Sequence, residues 1–279
     1  MLKGINKAFC AVAICGALFG LSGCGKSDKD LATELYNQAE SQINQRHFSE
    51  ALILLDTLDS RYHDQVEVRR MGLVVRAKAM QGLAMDSIQP ASEALAQATI
   101  RVEELRDKFY HVDSNVGLDG YFLPKGVDAK MMTATGIQAR VSDKGLLYYV
   151  VNVQGRTLGL NSFAFVSGAD QISSSEISPA RIISVEGCES ASFNPEDTEG
   201  MAQWLLNHDR NVKIVFIGSK GKTEVKMTDK LRQEILECYE YSSALQAQRK
   251  ASIQREKLER SLQLFRDGEA NFYTEPEHR

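Results

Sequence analysis

No stretch of this chain is apolar for long enough to cross a bilayer as a helix. The longest run, Ala8 to Leu21, has 14 residues, against roughly 20 for a span of the hydrocarbon core. Positive charge is scarce as well. The 33 Lys and Arg are outnumbered by 37 Asp and Glu, for a formal charge of -4. Nucleic acid is therefore not an expected partner, because that affinity comes largely from neutralising phosphates. Cysteine is sparse, with 5 in the chain, and Cys10, Cys15 and Cys24 fall at the N-terminus. His47, His63, His111 and His208 are scattered, and none has the close His/Cys/Asp spacing of a zinc site. No metal or other cofactor is implied. The chain also lacks a serine in a nucleophile elbow and a Cys/His pair at a recognisable spacing. Gly218 to Thr223 ends like a phosphate-binding loop, but Phe216 stands where that pattern needs its first glycine, and a strand follows. A solvated hairpin tip is the expected reading. What remains is a composition that is 43% hydrophobic, enough for a globular body.

The N-terminus carries the clearest signal. Lys3 and Lys7 form a basic head, the apolar run follows, and Leu21-Ser22-Gly23-Cys24 closes it. Basic head, short apolar core and small residues at the exit read as a secretory signal over residues 1–23. The closing tetrapeptide resembles the bacterial lipobox. The resemblance implies cleavage between Gly23 and Cys24, and fatty acylation of the Cys24 thiol and of its new amine. Loss of Lys3 and Lys7 with the signal takes the formal charge from -4 to -6. Two or more acyl chains anchor stably where one does not, so the membrane is an expected partner through the N-terminal lipid. Gly25 follows the cysteine where inner-membrane retention resembles an Asp, which favours the outer membrane. The mixed-sign run Gly25 to Asp30 leaves the leaflet open and reads as a tether. In an oxidising compartment Cys188 and Cys238 can pair or can stay free as small buried hydrophobes.

Downstream, Leu31, Leu35, Ala39 and Ile43 line one face of a helix ending near Gln45. Ser49 reads as the cap of a second helix with Ala51, Leu52, Leu55, Leu58 and Tyr62 inward. The two form an αα-hairpin that resembles one tetratricopeptide repeat at Leu35, Ala39, Ala51, Leu55 and Leu58. Leu58 stands where that family has a small residue, and His63 where it has Pro. A third helix is expected over Gln65 to Met85, a break over Asp86 to Pro90, and a fourth helix from Pro90 to near His111. Leu95, Ala98, Val102, Leu105 and Phe109 give that helix the three-four spacing of a coiled-coil-like seam. The helical region thus covers 31–112.

From residue 116 to residue 227 the pattern becomes strands with glycine-containing turns. Strands are expected at Ile137–Val141, Leu146–Val153, Leu158–Val166, Gln171–Ile177 and Arg181–Glu186. A helix opens at Asn194-Pro195-Glu196 with Met201, Trp204 and Leu205 inward, and a last hairpin pairs Val212–Ile217 with Glu224–Met227. Thr228-Asp229 caps a long helix over 228–268, with a frayed tail over 269–279. Its seam of Leu231, Ile235, Cys238, Ser242 and Leu245 pairs it antiparallel with the fourth helix. The expected fold class is α+β: helical hairpins and a long coiled-coil-like helix pair, with an antiparallel β-domain inserted at the tip of the stalk.

Candidate sites are few. Tyr148 and Tyr149 are adjacent on a strand, so one faces away from the core. With Tyr121, Phe122 and Trp204 they can form a glycan- or peptide-binding surface, though the favoured reading puts one ring in the core and the others over helix-sheet seams. Glu196, Asp197 and Glu199 sit where acids stabilise a helix N-terminus. The lipobox, the ELYNQAE and FSEALILLDTLDSRYHDQVEVRR helical opening and the charged helix after KIVFIGSKGKTEVKMTDK together resemble a group of uncharacterised lipoproteins from Gram-negative anaerobes. That resemblance implies location and architecture and brings no activity. The expected role is a non-enzymatic interaction or scaffolding lipoprotein with a protein partner. Carbohydrate binding in nutrient uptake comes second, and a hydrolase with unidentified residues third.

Overall fold

The computed structural model describes residues 26–113, 120–130, 132–208 and 211–272, with side chains to residue 265. The signal segment, Gly23 and Cys24 lie outside them. The fold is α+β, with five α-helices and ten strands among the described residues and the β-domain between helices. The chain divides into two compact units, residues 1–83 and 84–279. The expected helical region over 31–112 is thus divided at residue 83, inside a helix.

In the first unit, α1 spans Asp28–Asn44 and α2 spans Phe48–Arg61. Within the run taken as a tether, Asp28–Asp30 instead form the first turn of α1, with Ser27 as its cap. Ser27 Oγ accepts from Asp30 N at 3.2 Å and Asp30 Oδ2 accepts from Ser27 N at 3.1 Å, a reciprocal capping box. For α2 the N-cap is His47, not Ser49, and no side chain caps it. Phe48 is buried with Ala32, Ala39, Ala51, Leu55 and Leu58. The next helix, α3, contributes Val68, Val75 and Ala79 to that core. Gly82 is required there, because a Cβ would lie 2.3 Å from the Phe48 ring. Arg76 binds Asp56 at 2.6 Å and Asp59 at 2.9 Å, which ties α3 to α2.

Helix α3 runs unbroken over Val66–Arg106 with Pro90 inside it. This corrects the expected break. Proline removes one helical hydrogen bond and crowds the carbonyl four residues back, but Ala, Leu, Gln and Glu on either side are strong helix formers. Pro90 itself is exposed, while Ile88, Ala91 and Leu95 are half-buried. The helix ends earlier than expected, and Phe109 and His111 belong to a strand.

The second unit holds two antiparallel sheets. In the first, β1 (Phe109–Val112), β2 (Tyr121–Pro124), β3 (Gly136–Ser142), β4 (Leu147–Val153), β7 (Ile182–Val185) and β8 (Cys188–Phe193) lie in the order β1-β2-β3-β4-β8-β7. In the second, β5 (Leu160–Ser167), β6 (Asp170–Ser173), β9 (Lys213–Gly218) and β10 (Gly221–Lys226) lie in the order β10-β9-β5-β6. The sheets meet through aromatic edges: Tyr149 on Phe163 at 5.8 Å and Phe163 on Phe193 at 4.9 Å between ring centroids. Strands β1, β2 and β8 went unforeseen. In β8 a buried charge, Glu189, occupies an inward position beside Ala191 and Phe193, which hides the alternation.

Beyond β8, the expected helix at Asn194 is a single 3-10 turn over Pro195–Asp197. Helix α4 begins later, at Met201–Leu206, after Gly200 in the left-handed region (φ 75). Helix α5 covers Asp229–Phe272, running past the expected end at residue 268. Its opening turns do not stand beyond the β-domain as a stalk. Ile235, Cys238, Tyr241 and Ala244 join the same core as the two sheets. Tyr241 stacks on Phe109 with centroids 4.5 Å apart, and Ser242 Oγ donates to the Gly145 carbonyl at 2.7 Å. Gln248 donates to Thr99 at 3.1 Å and Arg101 pairs with Glu240, so the end of α3 and α5 run in opposite directions.

Candidate functional site

The adjacent tyrosines separate as the pleat requires, but not into a shared surface. Tyr149 points inward and is 0% exposed, packed between Phe163 and Phe165. Its hydroxyl is buried without a hydrogen-bond partner among the described residues. Burial raises its pKa and keeps it un-ionised. The expectation of a Tyr148–Tyr149 surface therefore fails at Tyr149. Tyr148 is half-buried on the opposite face, where Arg140 lies over the Tyr121 ring at 4.3 Å. Phe122 joins Tyr149 in the core, and Trp204 stacks on His208 at 3.8 Å.

Cys188 and Cys238 are free thiols, so the considered disulfide is not made. They sit on opposite faces of the six-stranded sheet. Cys188 Sγ donates to Asn152 Oδ1 at 2.9 Å, on the face away from Tyr149. Cys238 Sγ reaches the Ala139 carbonyl at 3.6 Å, and Ala139 pairs with Tyr149 across β3 and β4. Burial pushes the Cys238 thiol up from its ordinary pKa, so it is a packed and unreactive thiol.

The loop resembling a phosphate site has its amides spoken for. Ser219 N donates to the Gly159 carbonyl at 3.1 Å and Lys220 N to the Leu158 carbonyl at 2.8 Å. Gly218 is needed for this approach, since a Cβ would lie 2.5 Å from the Leu158 carbonyl oxygen. The same segment is clamped from its other side. The buried Glu189 carboxylate accepts from the amides of Leu158, Gly159 and Leu160 at 2.8, 3.0 and 3.2 Å. Sequence inspection missed this carboxylate because its partners are backbone groups some 30 residues away. Glu189 is a structural group, holding β5 to β8.

Asp197 is also structural. Arg181 Nη1 and Nη2 reach its two oxygens at 3.1 and 2.6 Å, and Asn194 N donates to it at 2.7 Å. The Arg181 guanidinium holds its pKa below the ordinary carboxylate range. His111 lies between Asp143, 2.7 Å from Nε2, and Asp113, 2.9 Å from Nδ1. Among the described residues no group of three or more His, Cys, Asp or Glu is arranged to hold a metal ion. No described helix is long and apolar enough to cross a membrane.

Three surfaces remain. An open groove of about 940 Å³ runs beside α5, lined by Arg101, Leu206, Arg232, Leu236, Glu240 and Ala244. Its charged groups are already engaged, Arg101 with Glu240 and Arg232 with the carbonyls of Leu205 and His208. The edge strand β7 exposes Ile183 and Val185. In the first unit, α3 presents Val66, Met71, Leu73, Val74 and Met80 to solvent, with Val66 68% and Leu73 60% exposed. A helix apolar on both faces is ordinarily buried on both. Val66, Leu73 and Met80 stand seven residues apart, in a row opposite the buried Val68, Val75 and Ala79. No protein-family model, no curated protein and no solved structure matches this chain.

Proposed function

We propose that the protein is a lipid-anchored lipoprotein of the cell envelope, held through Cys24 in the outer membrane, that works as a non-enzymatic protein-interaction or scaffolding module. The observation that supports this reading is the apolar row on α3, because single exposed hydrophobes are ordinary, while five of them within fifteen residues of one helix are not. A seven-residue spacing on a helix suits the apolar face of a second helix. The partner's chemistry is accordingly an amphipathic helix, with acidic residues beside its apolar stripe to meet Arg70, which lies beside the row one turn before Leu73. The resemblance to lipoproteins of Gram-negative anaerobes agrees with this placement. The carbohydrate-binding reading loses one of its two tyrosines to the core, and no observation favours it.

A photo-crosslinking residue at Leu73 tests the interaction in intact cells. Discrete adducts are expected at Leu73 and not at Glu50, and Val74→Glu should reduce them several-fold without changing the amount of protein. Adducts no stronger than at Glu50, or unaffected by Val74→Glu, would remove the reading.

A further inference from the structure

Antiparallel sheets that are not closed have edges, and edges pair unless something blocks them. Three of the four edges here carry a block. Strand β10 has Lys222, Glu224 and Lys226, β6 begins with Asp170, and β1 holds His111 between two aspartates. Strand β7, Ile182–Val185, has no charged residue and pairs with β8 on one side alone. Its Ile183 and Val185 are 69% and 61% exposed.

The hairpin that joins β7 to β8 decides which backbone groups face outward. Glu186 and Gly187 both have positive φ, 46 and 78, the signature of a two-residue type I′ turn. In such a hairpin the closing pair, here Val185 and Cys188, is hydrogen-bonded, and pairs alternate from there. Ile183 therefore turns its amide and carbonyl toward β8, and Ser184 turns its own toward the open edge.

We propose that β7 is a homodimerisation edge, which adds antiparallel to β7 of a second copy about a two-fold axis through Ser184. The register is self-complementary. Ser184 meets its own counterpart as a hydrogen-bonded pair, each amide donating to the other's carbonyl. Ile183 meets Val185 of the partner and Val185 meets Ile183, as non-hydrogen-bonded pairs with side chains at closest approach. An axis normal to the sheet preserves its faces, so all four apolar side chains gather on one side. A symmetric dimer requires one patch to fit itself in this way. Two six-stranded sheets become continuous. Because the strand has only four residues, the interface is small and the dimer is weak.

Cysteine cross-linking of the full chain in intact cells reads this register directly. Ser184→Cys lies on the axis, where Cα atoms of a hydrogen-bonded pair stand about 5.5 Å apart, within disulfide range. It should give a dimer on a non-reducing gel several-fold above wild type and above Ser252→Cys, an exposed control on α5. Ile183→Cys and Val185→Cys chains should cross-link to each other when co-expressed, and only weakly each to itself. Adding Ile183→Lys and Val185→Lys to Ser184→Cys should return the band to control, with the thermal midpoint unchanged because both side chains are exposed. A Ser184→Cys band no stronger than the controls, or one that survives both lysines, overturns the proposal. A cross-link from Ser184→Cys to a different protein in place of itself assigns the edge to that partner and overturns it equally.

Discussion

Tyr149 shows how much one hydroxyl can be made to cost. Its ring belongs with Phe163, Phe165 and Phe193 in the core between the sheets, but its oxygen has left water for a site with no partner among the described residues. An unsatisfied buried hydroxyl costs about 1–3 kcal/mol. Tyr149→Phe keeps the ring and removes the oxygen, so it should raise stability by about 1 kcal/mol, read as a higher urea midpoint at unchanged slope. A lower midpoint would mean that a bound water satisfies the oxygen. Asp197 makes the opposite case, a carboxylate held by Arg181 and by the Asn194 amide. Its pKa is depressed when folded, so the folded chain releases this proton more readily than the unfolded chain. The stability it contributes is present above the ordinary carboxylate pKa near 4 and lost as pH falls through the lower folded value. Asp197→Asn should lower the urea midpoint at pH 7 and flatten its decline below about pH 4. An unchanged acid limb would assign the decline to other carboxylates. The turn-opening role of Asp197 was expected from its position after Asn194-Pro195, but the inward turn of Tyr149 and the Arg181 pair were not legible beforehand. One strand position hides which of two tyrosines turns inward, and Arg181 lies 16 residues from its partner.

Elements with strong local signals formed where the sequence placed them. β3, β4, β9 and the start of α5 each combine periodicity with a cap or a glycine turn. The α1–α2 hairpin, by contrast, formed with an earlier start to α1 and without the expected Ser49 cap, and β10 begins at Gly221, three residues before the expected Glu224. Gly145 serves twice, with φ 75 in the β3–β4 turn and close approach to Leu245 on α5, where a Cβ would lie 2.8 Å from that side chain. Elements whose signals conflict were misread. β8 carries Glu189 inward, and α3 carries Pro90 mid-helix. At Pro90 a local rule for breaking helices lost to a 41-residue helix whose turns after Pro90 are rich in Ala, Leu and Glu. A proline inside a helix costs about 3 kcal/mol relative to alanine. Pro90→Ala should therefore raise the thermal midpoint by several degrees, for a gain of about 1–3 kcal/mol. At the first turn of a separate helix the same change would be neutral or slightly unfavourable, so an unchanged midpoint would restore the break.

At the scale of the whole molecule, address and body are encoded in different ways. The proposed lipobox, Leu21 to Cys24, is a contiguous tetrapeptide, and its prediction is correspondingly simple. Cys24→Ser should abolish fatty-acid labelling and move the protein from the membrane fraction to the soluble one, and retention in the membrane would count against the anchor. The sequence by itself determined the α+β class, the order of helical opening, β-rich middle and long final helix, and several strand boundaries, because periodicity, caps and turn glycines act within a few residues. Only the tertiary structure decided that Cys188 and Cys238 lie on opposite faces of one sheet, that the glycine-rich hairpin spends its amides on Leu158 and Gly159, and that α3 has a second apolar face left in solvent. Each of these depends on what a distant segment brings alongside, and a one-residue change of register on a strand is enough to reverse it.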